Sequence, residues 1–207
     1  MIAIIDYDAG NLQSVEKALA LLGQESVITR DRGEILRADK VILPGVGAFG
    51  DAMSQLKKYE LDKVVHEVAD KKTPLLGICL GLQLFFEGSD ESEGVEGLGL
   101  LKGSVVRFSD TYGLKIPHIG WNSLELMNDG RLFKGIPNGS YVYFVHSYYL
   151  KAADEQIVKA TTTYGDLVHA SVEQDSIFAC QFHPEKSSSV GLSILKNFSE
   201  LEGGEEN

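Results

Sequence analysis

The sequence predicts an α/β fold: a three-layer domain whose mostly parallel central sheet is extended by additional antiparallel strands. Two observations carry this. In the first half, short apolar runs alternate with helical patterns, which builds βαβ units and a parallel sheet. From residue 104 to 182, β-rich apolar runs succeed one another with no room for helices between them, so hairpins and antiparallel pairing follow. The chain has 207 residues, enough for one domain that buries a core without disulfide staples.

Each element rests on a local signal. Residues 2–5 form an apolar run that reads as a buried strand. Leu12, Val15, Leu19 and Leu22 fall on one helical face, and Asn11 is the residue type that caps such a helix. Runs at 26–28 and 41–43 read as strands, 51–70 as one or two helices, and 75–78 as a further strand. The segment after Cys79 reads as a helix stopped by Gly88. Residues 87–103 are rich in glycine and acidic side chains and read as a long loop, solvated and acidic over 87–96. Strands follow at 105–108, 141–145, 157–163, 167–172 and 177–182, separated by turn signals such as Pro137-Asn138-Gly139 and Tyr164-Gly165-Asp166. The last helix sets Ile194, Leu195, Phe198 and Leu201 on one face. A single domain is expected over 1–201, with 202–207 as a flexible acidic tail.

Composition narrows the function. Acidic residues outnumber basic ones 30 to 19, for a net charge of −11. That argues against a nucleic-acid partner, which needs a basic patch, and against a polybasic membrane anchor. No apolar run approaches the roughly 18–20 residues of a membrane span. The N-terminus lacks the basic region of a secretory leader and reads as a strand that starts the fold. Cys79 and Cys180 form neither a disulfide framework nor a CxxC pair, as expected of a cytoplasmic protein.

Gly77-Ile78-Cys79-Leu80-Gly81 has the spacing of a nucleophile elbow with cysteine at its centre. A nucleophile on a tight strand-to-helix turn takes a strained backbone, and the residues two away must be small. The N-terminus of the following helix favours the thiolate, the reactive form. Taken alone, the pentapeptide reads equally well as a buried cysteine beside packing glycines. His183-Pro184-Glu185 follows a predicted strand and raises the odds. In an extended stretch, residues two apart point to the same side. Glu185 then accepts a hydrogen bond from one ring nitrogen of His183 while the other faces a thiol, as the acidic member of a triad requires. Alone, that tripeptide reads as a surface turn; the order Cys79, His183, Glu185, at the ends of predicted strands, is more specific. An acyl-transfer site also needs an oxyanion hole. The Leu80 N–H is one donor, and Pro44-Gly45-Val46-Gly47 offers a second from a loop that is otherwise an ordinary glycine-rich turn.

The motifs together resemble a known family. Gly77-Ile78-Cys79-Leu80-Gly81-Leu82-Gln83 and Phe182-His183-Pro184-Glu185 resemble the two signature motifs of class I, triad-type glutamine amidotransferases. Asp6-Tyr7-Asp8-Ala9-Gly10-Asn11-Leu12-Gln13-Ser14-Val15, Leu43-Pro44-Gly45-Val46-Gly47, Gly97-Leu98-Gly99-Leu100, Pro117-His118-Ile119-Gly120-Trp121-Asn122 and Phe144-Val145-His146-Ser147-Tyr148 are similar to segments of the glutaminase subunits of imidazole glycerol phosphate synthase. The resemblance runs from residue 1 to about 200. It departs at Asp8, where that branch leads one to expect glycine.

The resemblance implies a flavodoxin-like sheet with added antiparallel strands, no metal and no cofactor. It implies hydrolysis of L-glutamine through a thioester on Cys79, with His183 as base and acid, Glu185 as its orienting partner, and Val46, Gly47 and Leu80 at the oxyanion hole. Gly47, Gln83, Ser147 and Tyr148 match substrate-binding segments. Ammonia then passes to a separate cyclase subunit, a (β/α)₈ barrel held as a heterodimer, which converts the nucleotide PRFAR to imidazole glycerol phosphate and AICAR in histidine biosynthesis. A flip of the peptide at Val46 couples the two sites. Pro117 and Trp121 fall near the cyclase contact, and Tyr143 and Lys186 near the ammonia exit. Trp121 serves equally well as packing and Lys186 as a solvated charge. His118 and His146 lack a zinc spacing and read as packed or interface histidines, and Cys180 reads as an inert buried thiol. Three other readings stay open: another amidotransferase glutaminase, such as that of pyridoxal phosphate synthesis; a cysteine hydrolase of similar fold; and a non-catalytic subunit with a vestigial site.

Overall fold

The computed structural model describes residues 1–201; the tail expected over 202–207 lies outside the described residues. The first half alternates strand and helix: β1 (Ile2–Ile5), α1 (Leu12–Leu21), β2 (Ser26–Thr29), α2 (Arg32–Arg37), β3 (Lys40–Gly45), α3 (Phe49–Lys58), α4 (Leu61–Asp70), β4 (Leu75–Cys79) and α5 (Leu80–Leu84). The second half is β-rich: β5 (Gly103–Arg107), β6 (His118–Ser123), β7 (Glu125–Leu126), β8 (Tyr141–His146), β9 (Tyr148–Ala152), β10 (Val158–Tyr164), β11 (Asp166–Gln174) and β12 (Ile177–Cys180), closed by α6 (Ser188–Ser199).

Eight strands form one sheet in the order β2-β1-β3-β4-β12-β11-β10-β7. β2, β1, β3, β4 and β12 pair in parallel, and β12, β11, β10 and β7 pair antiparallel. Two antiparallel ribbons, β5-β9 and β6-β8, stand beside it.

The three layers follow from the two-residue period of buried strands. Ala3, Ile5, Val41, Leu43 and Leu75 pack on one face with Ile35 of α2 and with Met53, Leu56, Val64 and Val68 of α3 and α4. Ile2, Ile4, Ile42, Leu76 and Ile78 pack on the other with Val15 and Leu19 of α1 and Ile194, Leu195 and Phe198 of α6. Among the described residues, no helix is long and apolar enough to cross a membrane.

Several local expectations change. The stretch over 51–70, expected as one or two helices, is two, broken at Glu60, whose φ is +56°. The helix after Cys79 ends at Leu84 rather than running to Gly88. The strand expected through Phe182 stops at Cys180. Asn11 makes no side-chain cap on α1; its φ of +75° turns the carboxamide elsewhere. α2 went unpredicted, although Asp31 caps it by accepting from the Glu34 amide at 2.8 Å.

Candidate active site

Because β1, β3, β4 and β12 run parallel, the loops leaving them gather along one edge of the sheet. Strands are added on one side of β1 as β2 and on the other as β3, so the loops after β1 and β3 part in opposite directions and open a crevice at that edge.

Cys79 ends β4 with φ +55° and ψ −107°, a conformation that strains any residue but glycine. The elbow glycines have steric reasons. A Cβ on Gly81 would lie 1.8 Å from the Leu43 carbonyl oxygen, and one on Gly77 would lie 2.7 Å from the Phe85 ring. Leu80 opens α5, so its amide is one of the unpaired donors at that helix start.

His183 lies just past β12 and its backbone is pinned on both sides. Its amide donates to the Tyr143 carbonyl at 3.0 Å, and its carbonyl accepts from the Ser187 hydroxyl at 2.6 Å. The same hydroxyl accepts from the Tyr143 amide at 2.9 Å. His183 is extended, as expected, but Pro184 starts a single 3₁₀ turn, Pro184–Lys186, where an extended stretch was expected. The turn still brings the side chains together: His183 Nδ1 donates to Glu185 Oε1 at 2.7 Å. The Glu185 carboxylate is fully buried, and its Oε1 takes a second hydrogen bond from Asn11 Nδ2. This is where the carboxamide expected to cap α1 has gone.

His183 Nε2 is buried and without a hydrogen-bond partner among the described residues, and His183 and Cys79 line the same cavity. Burial pulls the His183 pKa down, but the nearby Cys79 and the hydrogen-bonded Glu185 carboxylate outweigh it and raise the pKa to about 10. A raised value makes Nε2 a strong base toward a proton on the sulfur.

The cavity measures about 270 Å³. Val46, Gly47, Leu80, Gln83, Ser147 and Tyr148, all expected at the site, line it. Gly47 has φ +99°, open to glycine and costly to other residues. Pro117, expected on the partner side, also lines the cavity. Trp121 and Tyr143 do not; they sit opposite each other across β6-β8, on the face turned away from the core. Lys186 is exposed.

Three further residues stand at this site that no reading of the sequence assigned to it. Glu91 lines the cavity and accepts the Phe49 amide at 2.8 Å, while Ser92 accepts the Gly50 amide at 2.9 Å. The stretch read as a solvated acidic loop thus caps α3. Gln181, between β12 and His183, is fully buried. Asn11 is the third. Asp8 has φ +66°, and Arg30 at 2.7 Å and the Tyr59 hydroxyl at 2.5 Å hold its carboxylate, so a non-glycine residue is tolerated there.

His118 and His146 face the core from β6-β8. His146 Nδ1 lies 2.8 Å from the Tyr148 carbonyl oxygen, and His118 Nδ1 lies 3.0 Å from His146 Nε2. Burial lowers their pKa values to about 4 and about 3, so both rings are neutral. Among the described residues, no group of three or more His, Cys, Asp or Glu is placed to hold a metal.

A cysteine on an elbow, a buried His–Glu pair and a small cavity at the carboxyl edge of a parallel sheet define a class I glutamine amidotransferase, and the family model described as glutamine amidotransferase class-I matches residues 3–201. Solved structures show the same fold: a glutamine amidotransferase superposes with a TM-score of 0.75 at 21% identity, covering 96% of this chain and 100% of that one. PurLQS from Thermotoga maritima gives 0.74 at 20% identity, covering 96% of each. Sequence relatives are nearer. Imidazole glycerol phosphate synthase subunit HisH of Moorella thermoacetica is 53% identical, covering 97% of this chain and 94% of that protein. The HisH subunit of Methanocaldococcus jannaschii is 48% identical, covering 97% and 100%. The chain belongs to the class I glutamine amidotransferases and, within them, to the HisH subunits of imidazole glycerol phosphate synthase, the glutamine amidotransferase of histidine biosynthesis.

Proposed function

We propose that Cys79 is the nucleophile of glutamine hydrolysis, with His183 as proton carrier and Glu185 as its orienting acid. The observation that carries this is the buried, unpartnered His183 Nε2 in the cavity of Cys79, with Nδ1 fixed by Glu185. The sulfur attacks the side-chain amide carbon of L-glutamine as its proton passes to Nε2. The Leu80 amide and the Val46–Gly47 loop meet the oxyanion. Collapse breaks the C–N bond, and His183 gives its proton to the leaving ammonia. His183 then takes a proton from water, which adds to the thioester, and glutamate leaves the sulfur. Gln83, Ser147 and Tyr148 hold the substrate, and Glu91 supplies a carboxylate for its α-ammonium.

The ammonia goes to a second subunit of the synthase, a (β/α)₈-barrel cyclase paired as a heterodimer, which turns PRFAR into imidazole glycerol phosphate and AICAR. What supports the docking site is an outward-facing row on β6-β8. Ile119, Trp121 and Tyr141 are exposed at 59%, 51% and 59%, unusually apolar for free surface. The row continues through Val145, opposite Ile119 in the ribbon, to the cavity wall. The test is glutamine hydrolysis by the full chain with and without its cyclase and nucleotide, for wild type and Cys79→Ala. Loss in the variant is expected, together with stimulation by the loaded partner. Full activity from the chain alone would sink the coupling, and an active Cys79→Ala the nucleophile.

A further inference from the structure

Gln181 is fully buried, and a carboxamide in that position is costly unless its polar ends are satisfied. Its place in the sheet explains what satisfies it. β12 and β4 are parallel with Cys180 opposite Ile78, so the next residues along, Gln181 and Cys79, are neighbours across the two strand ends.

One backbone carbonyl sets the polarity of the whole cluster. The Tyr148 oxygen only accepts, so the Gln83 atom 3.1 Å from it is Nε2. The second hydrogen of that nitrogen points at Gln181 at 3.0 Å, so the Gln181 atom there is Oε1. The Gln181 nitrogen is therefore left facing Cys79 Sγ, at 3.7 Å. On another side, the Val145 carbonyl oxygen stands 3.9 Å from the sulfur. That oxygen suits an S–H and opposes a thiolate. Among the described residues, Gln181 is the side chain that offers this sulfur a neutral N–H donor.

We propose that Gln181 acts directly on the nucleophile, donating to the Cys79 sulfur whenever it carries charge, with its direction fixed by Gln83 and Tyr148. The donor keeps its proton throughout: the thiol proton goes to His183, and the Gln181 N–H offsets the Val145 carbonyl before attack and again when glutamate departs. The same network spends both Gln83 amide hydrogens on protein, so Gln83, which lines the cavity, turns its oxygen to the substrate as an acceptor. The inference rests on the reading of Cys79 as nucleophile.

The experiment is the rate of Cys79 alkylation by iodoacetamide in the full chain across pH, located by mass spectrometry. Gln181→Met keeps the length and removes the donor. Its rate near neutral pH should fall about tenfold, with the alkaline plateau retained, as expected for one lost hydrogen bond to a charged atom. Gln181→Glu, which sets a negative oxygen against the sulfur when ionised, should lose more. A folded variant whose profile superimposes on wild type overturns the proposal, and so does an equal loss at every pH, which marks a purely structural residue. If neither variant folds, the wild-type chain decides. With ¹⁵N-labelled glutamine side chains, the Gln181 amide protons should shift with the midpoint of alkylation; protons that stay still through it overturn the proposal. Glutamine hydrolysis that survives Cys79→Ala would sink the nucleophile reading and leave the alkylation result standing, so the two failures are told apart.

Discussion

Oxygen Oε1 of Glu185 accepts from both His183 and Asn11, so the carboxylate that orients the imidazole is itself oriented from the loop after β1. Asn11 sits at φ +75°, a region that asparagine and aspartate tolerate better than other side chains. Asn11→Asp therefore keeps the backbone and replaces a donor by a charge facing Glu185. Its turnover of glutamine should fall about tenfold with KM little changed, checked by steady-state kinetics; an unchanged turnover removes Asn11 from the site. At this scale the sequence was legible where chemistry comes in short motifs. Cys79 and its flanking glycines, and His183 with Glu185, announce themselves by spacing within a few residues. Asn11, Glu91 and Gln181 do not, because each reaches the site through a partner far along the chain. A single asparagine before a helix reads as a cap for the simple reason that caps are its commonest use.

The ribbon β6-β8 shows why elements were harder to read than motifs. Its residues alternate between the neutral histidine pair facing the core and the aromatic row facing out. β6 holds His118, Gly120 and Asn122, so it lacks the apolar, β-branched run that marks a strand. It forms because β8 offers it a partner over its full length. β7 and β9 were missed for a similar reason: tertiary pairing makes a strand of a segment too short or too polar to declare itself. α3 likewise has no capping residue of its own, and Glu91 and Ser92 supply the acceptors from another loop. Glu91 thus serves a helix and the cavity at once, and the two uses separate experimentally. Glu91→Gln keeps an acceptor for the Phe49 amide and removes the charge. KM for glutamine should rise about tenfold while thermal stability holds; a variant that unfolds early with unchanged KM would make Glu91 a cap alone.

Across the whole molecule, buried histidines give the fold a pH optimum. His183 has its pKa raised from 6.5 to about 10. Its contribution to stability is therefore fully present below pH 6.5 and is lost as pH rises towards 10. His118 and His146 have theirs lowered from 6.5 to about 4 and about 3. The stability of their neutral forms is present above pH 6.5 and is lost as pH falls through that range. Urea unfolding should thus show greatest stability near pH 6.5, declining on both sides, and His183→Gln should flatten the alkaline side. A wild-type profile that rises above pH 8 would contradict the assignment. One arrangement has a thermal consequence. The proposed nucleophile and base leave the ends of β4 and β12, adjacent strands in the interior of an eight-stranded sheet. Central strands separate only when the entire domain opens, whereas lids and edges open first. On heating, the reactive pair should have no melting point of its own, so cysteine reactivity and global structure should disappear at one temperature.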